Sequence, residues 1–169
     1  MDLKMLGIAL VIIGCGAFGF RLAAHLRLEI HALRDLIDIL NYMKCELNYR
    51  LTPLPQLCRL SAERGKSLRD LFLCFADEMD GQISTDTASC MEAAIYKNAG
   101  ISDSIKVLLQ DLGCSFGKFD LEGQLSGIDS VCQKCAKRLE ELEKDKDIRT
   151  RNYQTLGLCA GAALAILLF

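Results

Sequence analysis

The apolar positions of this chain fall into three regimes. Residues 5–20, MLGIALVIIGCGAFGF, form an uncharged run bounded by Lys4 and Arg21. As a helix this run is about 24 Å long, a little short for a bilayer, but Lys4 and Arg21 can snorkel to the interfaces. Residues 152–169, NYQTLGLCAGAALAILLF, form a second uncharged run. Its length suits a transmembrane helix, and Tyr153 stands at the edge where an interfacial aromatic is expected. A membrane-spanning helix is therefore predicted at each end, over 1–20 and 152–169, with a domain over 21–151 between them.

Two segments of that domain read as long helices. In the first, apolar residues fall at Leu26, Ile30, Leu33, Ile37, Leu40, Leu47 and Leu51, spaced by four and three, with Lys44 as the single interruption. In the last they fall at Leu121, Leu125, Ile128, Cys132, Cys135, Leu139 and Leu142. This alternation is a heptad seam, which needs a partner helix. Neither segment is broken before its neighbouring apolar run, so each is expected to continue into it.

The stretch 52–119 is cut into shorter helices. Thr52-Pro53 predicts an N-cap with proline at the first helical position, and Gly65 the end of that helix. Ser67 is expected to cap a helix with Leu68, Leu71, Phe72, Phe75 and Met79 on one face, stopped at Asp80-Gly81. A third covers about 86–99 and ends before Gly100. A fourth starts at Ser102 and turns Ile105, Leu108, Leu109, Leu112 and Phe116 to one side. The fold predicted is all-α: a bundle of about six helices on a long antiparallel hairpin.

Composition narrows the function classes. With 20 basic and 22 acidic residues the net charge is −2, so no electrostatic case for nucleic acid exists. The nine cysteines are odd in number and scattered. Most fall inside apolar helical runs, where a thiol acts as a small hydrophobe, so they read as reduced. Arg21, Arg27 and Arg34 follow the first run, and Lys144, Lys146, Arg149 and Arg151 precede the second. By the positive-inside rule, 21–151 is expected in the cytoplasm with both termini outside. The alternative is a lipid-anchored extracytoplasmic binding protein, because Ile12-Ile13-Gly14-Cys15 has the shape of a lipobox. Against it, the chain continues as helix beyond Arg21 without a polar tether.

Candidate chemistry is sparse. Cys132-Gln133-Lys134-Cys135 is a CxxC, but a redox role wants it at a helix start after a strand, and zinc wants a second ligand pair. His25 and His31, the only histidines, are six residues apart on a helix and face different sides. Gly113 and Gly117 punctuate a helix end without a preceding strand, so no phosphate loop is supported. Glu140, Glu141, Glu143, Asp145 and Asp147 alternate with Lys144 and Lys146, as a solvated helix face does. No catalytic residue, metal or cofactor is expected. Two interaction features remain. Gly157, Gly161 and Ala165 share one face of the second apolar run, which would let the first run, a second copy or another protein approach closely. Arg50, Arg59, Arg64, Lys66 and Arg69 are candidate partner-binding residues near the hairpin tip, about 46 Å from Arg21 if the first helix is continuous.

Several of these features occur together in a set order. A Thr52-Pro53-Leu54 turn follows a long helix, then come Leu71-Phe72 with Phe75-Ala76, and Leu112-Gly113, Phe116-Gly117 and Asp120 with Gln124. Tyr153-Gln154-Thr155-Leu156-Gly157 then leads into a glycine-rich run. In this order and spacing the chain resembles the stage III sporulation protein AB family of endospore-forming bacteria, over nearly its whole length. It departs in lacking a Trp near Ala94-Ile95. The resemblance implies a soluble region similar to the cytoplasmic F-domain of type II secretion and type IV pilus platform proteins. It implies a non-enzymatic place in a complex linking mother cell and forespore during engulfment, in the mother-cell membrane facing the forespore. The partners implied are a secretion-type ATPase, other stage III sporulation membrane proteins and the lipid bilayer.

Overall fold

The computed structural model describes the backbone of residues 2–50, 52–81, 86–116 and 120–167. Side chains are described for residue 21 and for 24–50, 52–81, 86–116, 120–144, 155 and 159. The elements are α1 (Asp2–Arg50), α2 (Leu54–Ala62), α3 (Arg69–Asp80), α4 (Thr87–Lys97), α5 (Asp103–Ser115) and α6 (Leu121–Leu167). Among the described residues there is no strand, and no helix is long and apolar enough to cross a membrane. Apart from Thr155 and Cys159, the side chains of the runs 5–20 and 152–169 lie outside the described residues, and so do Gly157, Gly161 and Ala165.

Two compact units divide the chain. One joins Met1–Ile30 with Glu141–Phe169, and the other is His31–Glu140. In the first, Leu26, Ile30 and Leu142 are buried.

In the second unit α1 and α6 run antiparallel. Lys44 Nζ lies 2.6 Å from Asp129 Oδ1, and the Cys132 thiol donates to Asn41 Oδ1 over 3.9 Å. Three residues back along α1 thus match three forward along α6. The seam between them differs in phase from the heptad reading. Leu36, Ile39 and Met43 are fully buried beside Leu33 and Leu40, whereas Ile37 is half-buried and Lys44 exposed. A helix packed on several neighbours buries a stripe wider than a two-position seam. Met43 takes the place assigned to Lys44, so the stripe has no interruption. On α6, Val131 is buried and Cys132 only half-buried, while Leu121 is exposed.

The short helices form a chain of packed neighbours, α2 on α3, α3 on α4 and α4 on α5. Most of their predicted apolar faces are inside: Leu68, Leu71, Phe72 and Phe75 at α3, with Met79 only half-buried, and Ile105, Leu108, Leu109, Leu112 and Phe116 at α5. Their ends differ from expectation. Pro53, extended at φ −55° and ψ 140°, occupies the N-cap of α2, and Pro55 sits in the first turn. Thr52 is therefore one residue too early to cap, because Pro53 is itself extended and its carbonyl accepts from the Leu57 amide at 2.9 Å; the Thr52 hydroxyl donates instead to Glu46 Oε2 (3.4 Å). The N-cap of α3 is Leu68, and the amide of Ser67 donates to Asp35 Oδ2 on α1 (2.7 Å).

Gly65 lies beyond the end of α2, which closes at Glu63 in a right-handed conformation. It is buried, and a Cβ there would collide with Ile39 Cδ1. Its role is close approach to α1. Asp86 caps α4 as the predicted boundary implies, accepting from the Ala88 amide at 3.4 Å.

Candidate functional site

The five basic candidates do not form one cluster. Arg59 is committed to α3: its Nη2 lies 2.8 Å from Asp77 Oδ1 and its Nη1 2.5 Å from Asp80 Oδ2. Bonds to Asp80 and then Asp77 raise its pKa above the ordinary arginine value. Arg64 stacks over the Tyr42 ring, 4.6 Å from the centroid. Arg64, Lys66 and Arg69 share the α2–α3 turn, exposed and without an ionic partner among the described residues. Gly65 and Ser67 fasten that turn beside Asp35 and Ile39. Because α2 doubles back along α1, the turn lies well behind Arg50, the last residue of α1, which is about 12 Å beyond Tyr42 along the axis. The expected cluster at the hairpin tip is thus a triad on the turn plus a separate Arg50, whose guanidinium is 3.9 Å from Glu46. The exposed Glu63 and Asp70 are interleaved with the triad, so the turn presents mixed charge.

The CxxC has the wrong environment for redox work. Cys135 is fully buried, and burial pushes its thiol up to about 12. Cys132 is raised as well, by burial and then by Asp129. A reactive thiol needs the opposite shift. Cys58, buried on α2, is raised further still by burial. Native labelling at neutral pH with a maleimide is expected to modify Cys45 and Cys114, which are exposed, and to spare Cys58 and Cys135. Site-resolved mass spectrometry reads this, and labelling of Cys135 as fast as Cys45 would refute the seam placement.

The same burial sets a pH dependence. In the unfolded chain thiols ionise from about pH 8.5, whereas in the fold Cys135 keeps its proton to about 12. The unfolded state then binds fewer protons, so stability falls as pH rises through that window and is fully present below it. Cys135→Ala is expected to flatten the alkaline slope by about 1 kcal/mol per pH unit, measured by denaturation at pH 7.5, 9.5 and 10.5.

Three features carried no clear sequence signal. Glu78 on α3 is buried, and its carboxylate accepts from Lys97 Nζ on α4. The Thr87 hydroxyl donates to the carbonyls of Gly113 and Phe116, tying the start of α4 to the end of α5. An open groove of about 700 Å³ runs between α4 and α5, with Tyr96 at its edge. The one sequence hint to any of them was Tyr96 at the groove edge, which lies off the stripe of Met91, Ala94 and Ile95. No group of three His, Cys, Asp or Glu among the described residues could hold a metal.

The family model described as stage III sporulation protein AB matches residues 4–169. The chain belongs to that family. A solved structure titled stage III sporulation protein AB superimposes with a TM-score of 0.64 at 20% identity, covering 72% of this chain and 98% of that one. At that identity the likeness is one of fold. No curated protein matches the chain. For a stage III sporulation protein AB family member, the candidate site is thus a set of helix-locking ion pairs around a turn and a groove.

Proposed function

We propose that this chain is a membrane-anchored, non-enzymatic scaffold that couples a cytoplasmic secretion-type ATPase to membrane components of a sporulation complex between mother cell and forespore. The observation that carries it is the family match over 4–169, which takes in the helical bundle and both uncharged runs. The anchors themselves rest on the two runs in the sequence, with 21–151 cytoplasmic and both termini outside.

The charge arrangement gives several ionic groups a structural role. Lys44–Asp129, Arg59–Asp77, Glu78–Lys97 and Asp111–Lys134 each join two helices. Arg64, Lys66 and Arg69 keep their charges unpaired among the described residues, on a turn that α1 holds in place, as a docking surface requires. The test is capture of the full chain from sporulating cells. The ATPase is expected to accompany it, and Lys66→Glu with Arg69→Glu to cut that recovery about tenfold, as loss of interface charge pairs does. A folded chain that never recovers the ATPase, in cells or in detergent, sinks the coupling role.

A further inference from the structure

We propose that the α4–α5 groove is the interface for a second copy of this chain. Gly113 packs on Met91 and Ala88, its Cβ position being 2.7 Å from Met91 Cβ and 3.4 Å from Ala88 Cα. Thr87 bonds the Gly113 carbonyl at 3.0 Å, in the same antiparallel register. Counting back from there sets Gln110 level with Glu92, and Lys106 level with Tyr96, on opposite walls.

Between the walls the lining is apolar, with the buried Ile95 and the half-buried Ala93 among its residues. Tyr96 is 89% exposed, so a large aromatic side chain on the groove wall stands in water. Glu92 and Gln110 have no partner among the described residues. A two-fold axis parallel to the helices lays α4 of one copy on α5 of the other, level for level. Lys106 of the partner subunit then covers the Tyr96 ring, and Gln110 of the partner subunit meets the Glu92 carboxylate, each contact occurring twice. Cation faces aromatic and amide faces carboxylate, so the surface is complementary to itself. Lys106 now pairs with Asp103 at 2.8 Å, but Asp103 is 96% exposed. Such a surface pair is worth little and is released cheaply.

This inference stands independently of the motor reading, because its deciding readout is the oligomeric state of the purified chain. Light scattering of the full chain in detergent over a concentration series is expected to show a dimer. Tyr96→Lys, which sets lysine against the partner subunit's Lys106, weakens it at least about tenfold, as loss of a central interface aromatic does. The exchange Tyr96→Lys with Lys106→Tyr restores the opposed pair and most of the affinity. Tyr96 is exposed and Lys106 half-buried, and an unchanged circular dichroism melt confirms folding. A monomer at every concentration overturns the proposal. So does a dimer indifferent to Tyr96→Lys and Ala93→Glu but broken by Gly157→Leu, which puts the contact in the second apolar run. A Tyr96 variant that blocks sporulation while the wild-type chain stays monomeric also overturns it, assigning the groove to another protein.

Discussion

Phe75→Ala is expected to cost about 3–5 kcal/mol of stability, read by denaturant unfolding of the full chain followed by circular dichroism. Phe75 is fully buried on α3, and its ring stacks on Phe116 with centroids 6.5 Å apart and planes at 28°. Truncation removes the transfer free energy of the ring and leaves a hole bordered by α3 and the end of α5. The hole is hard to collapse, because Phe116 is itself fixed. Its amide donates to the Leu112 carbonyl at 3.2 Å, and its carbonyl accepts from the Thr87 hydroxyl. Phe75→Leu keeps most of the volume and should cost under about 1.5 kcal/mol. A double cycle with Phe116→Leu should return a coupling of about 0.5–1.5 kcal/mol for the ring pair. A loss below about 1 kcal/mol for Phe75→Ala would mean the core is elsewhere.

That core was largely legible beforehand. Periodic sets such as Leu71, Phe72 and Phe75 on α3, or Ile105, Leu108, Leu109 and Leu112 on α5, fix which face goes inside, because a helix of three turns has one apolar stripe to bury. Phase and ends were less legible. Lys44 and Met43 differ by one position, and either fits a four-three alternation until the neighbours of α1 are known. Gly65 and Gly113 read as punctuation near helix ends, and both turn out to be close-approach sites whose reason lies on another helix. Arg59 shows the same limit. Its carboxylate partners are 18 and 21 residues away on α3, and no local spacing announces them. The groove was invisible for the same reason, since it exists only once α4 and α5 pack in one register. The apolar runs at the two ends are the opposite case, read from composition alone.

Gly113→Val is expected to be the other severe change, at about 3 kcal/mol or more, with Gly113→Ala costing about 1–2 kcal/mol. Two effects oppose each other in the alanine variant. Alanine gains about 1 kcal/mol of helix propensity over glycine. Its Cβ would sit 2.7 Å from Met91 Cβ and 3.1 Å from Met91 Cγ, where carbon atoms prefer about 3.5–4.0 Å. Met91 Cβ is the stem of a fully buried side chain and moves only with the α4 backbone. Relief therefore means parting the two helices, and overpacking of this kind costs about 1–3 kcal/mol, more than propensity returns. Valine adds two further carbons to the same gap and strains the Thr87 bond to the Gly113 carbonyl. Gly100→Ala is the control. An added Cβ there meets nothing within 4 Å, so stability should change by less than about 0.5 kcal/mol. Met91→Gly removes the opposing Cβ, so a cycle with Gly113→Ala should be non-additive by about 1 kcal/mol or more. Additive losses would place the cost of Gly113→Ala inside α5 itself. A coupled loss would show that one hydrogen atom at Gly113 sets the spacing of α4 and α5, and with it the width of the groove that Tyr96 and Lys106 flank.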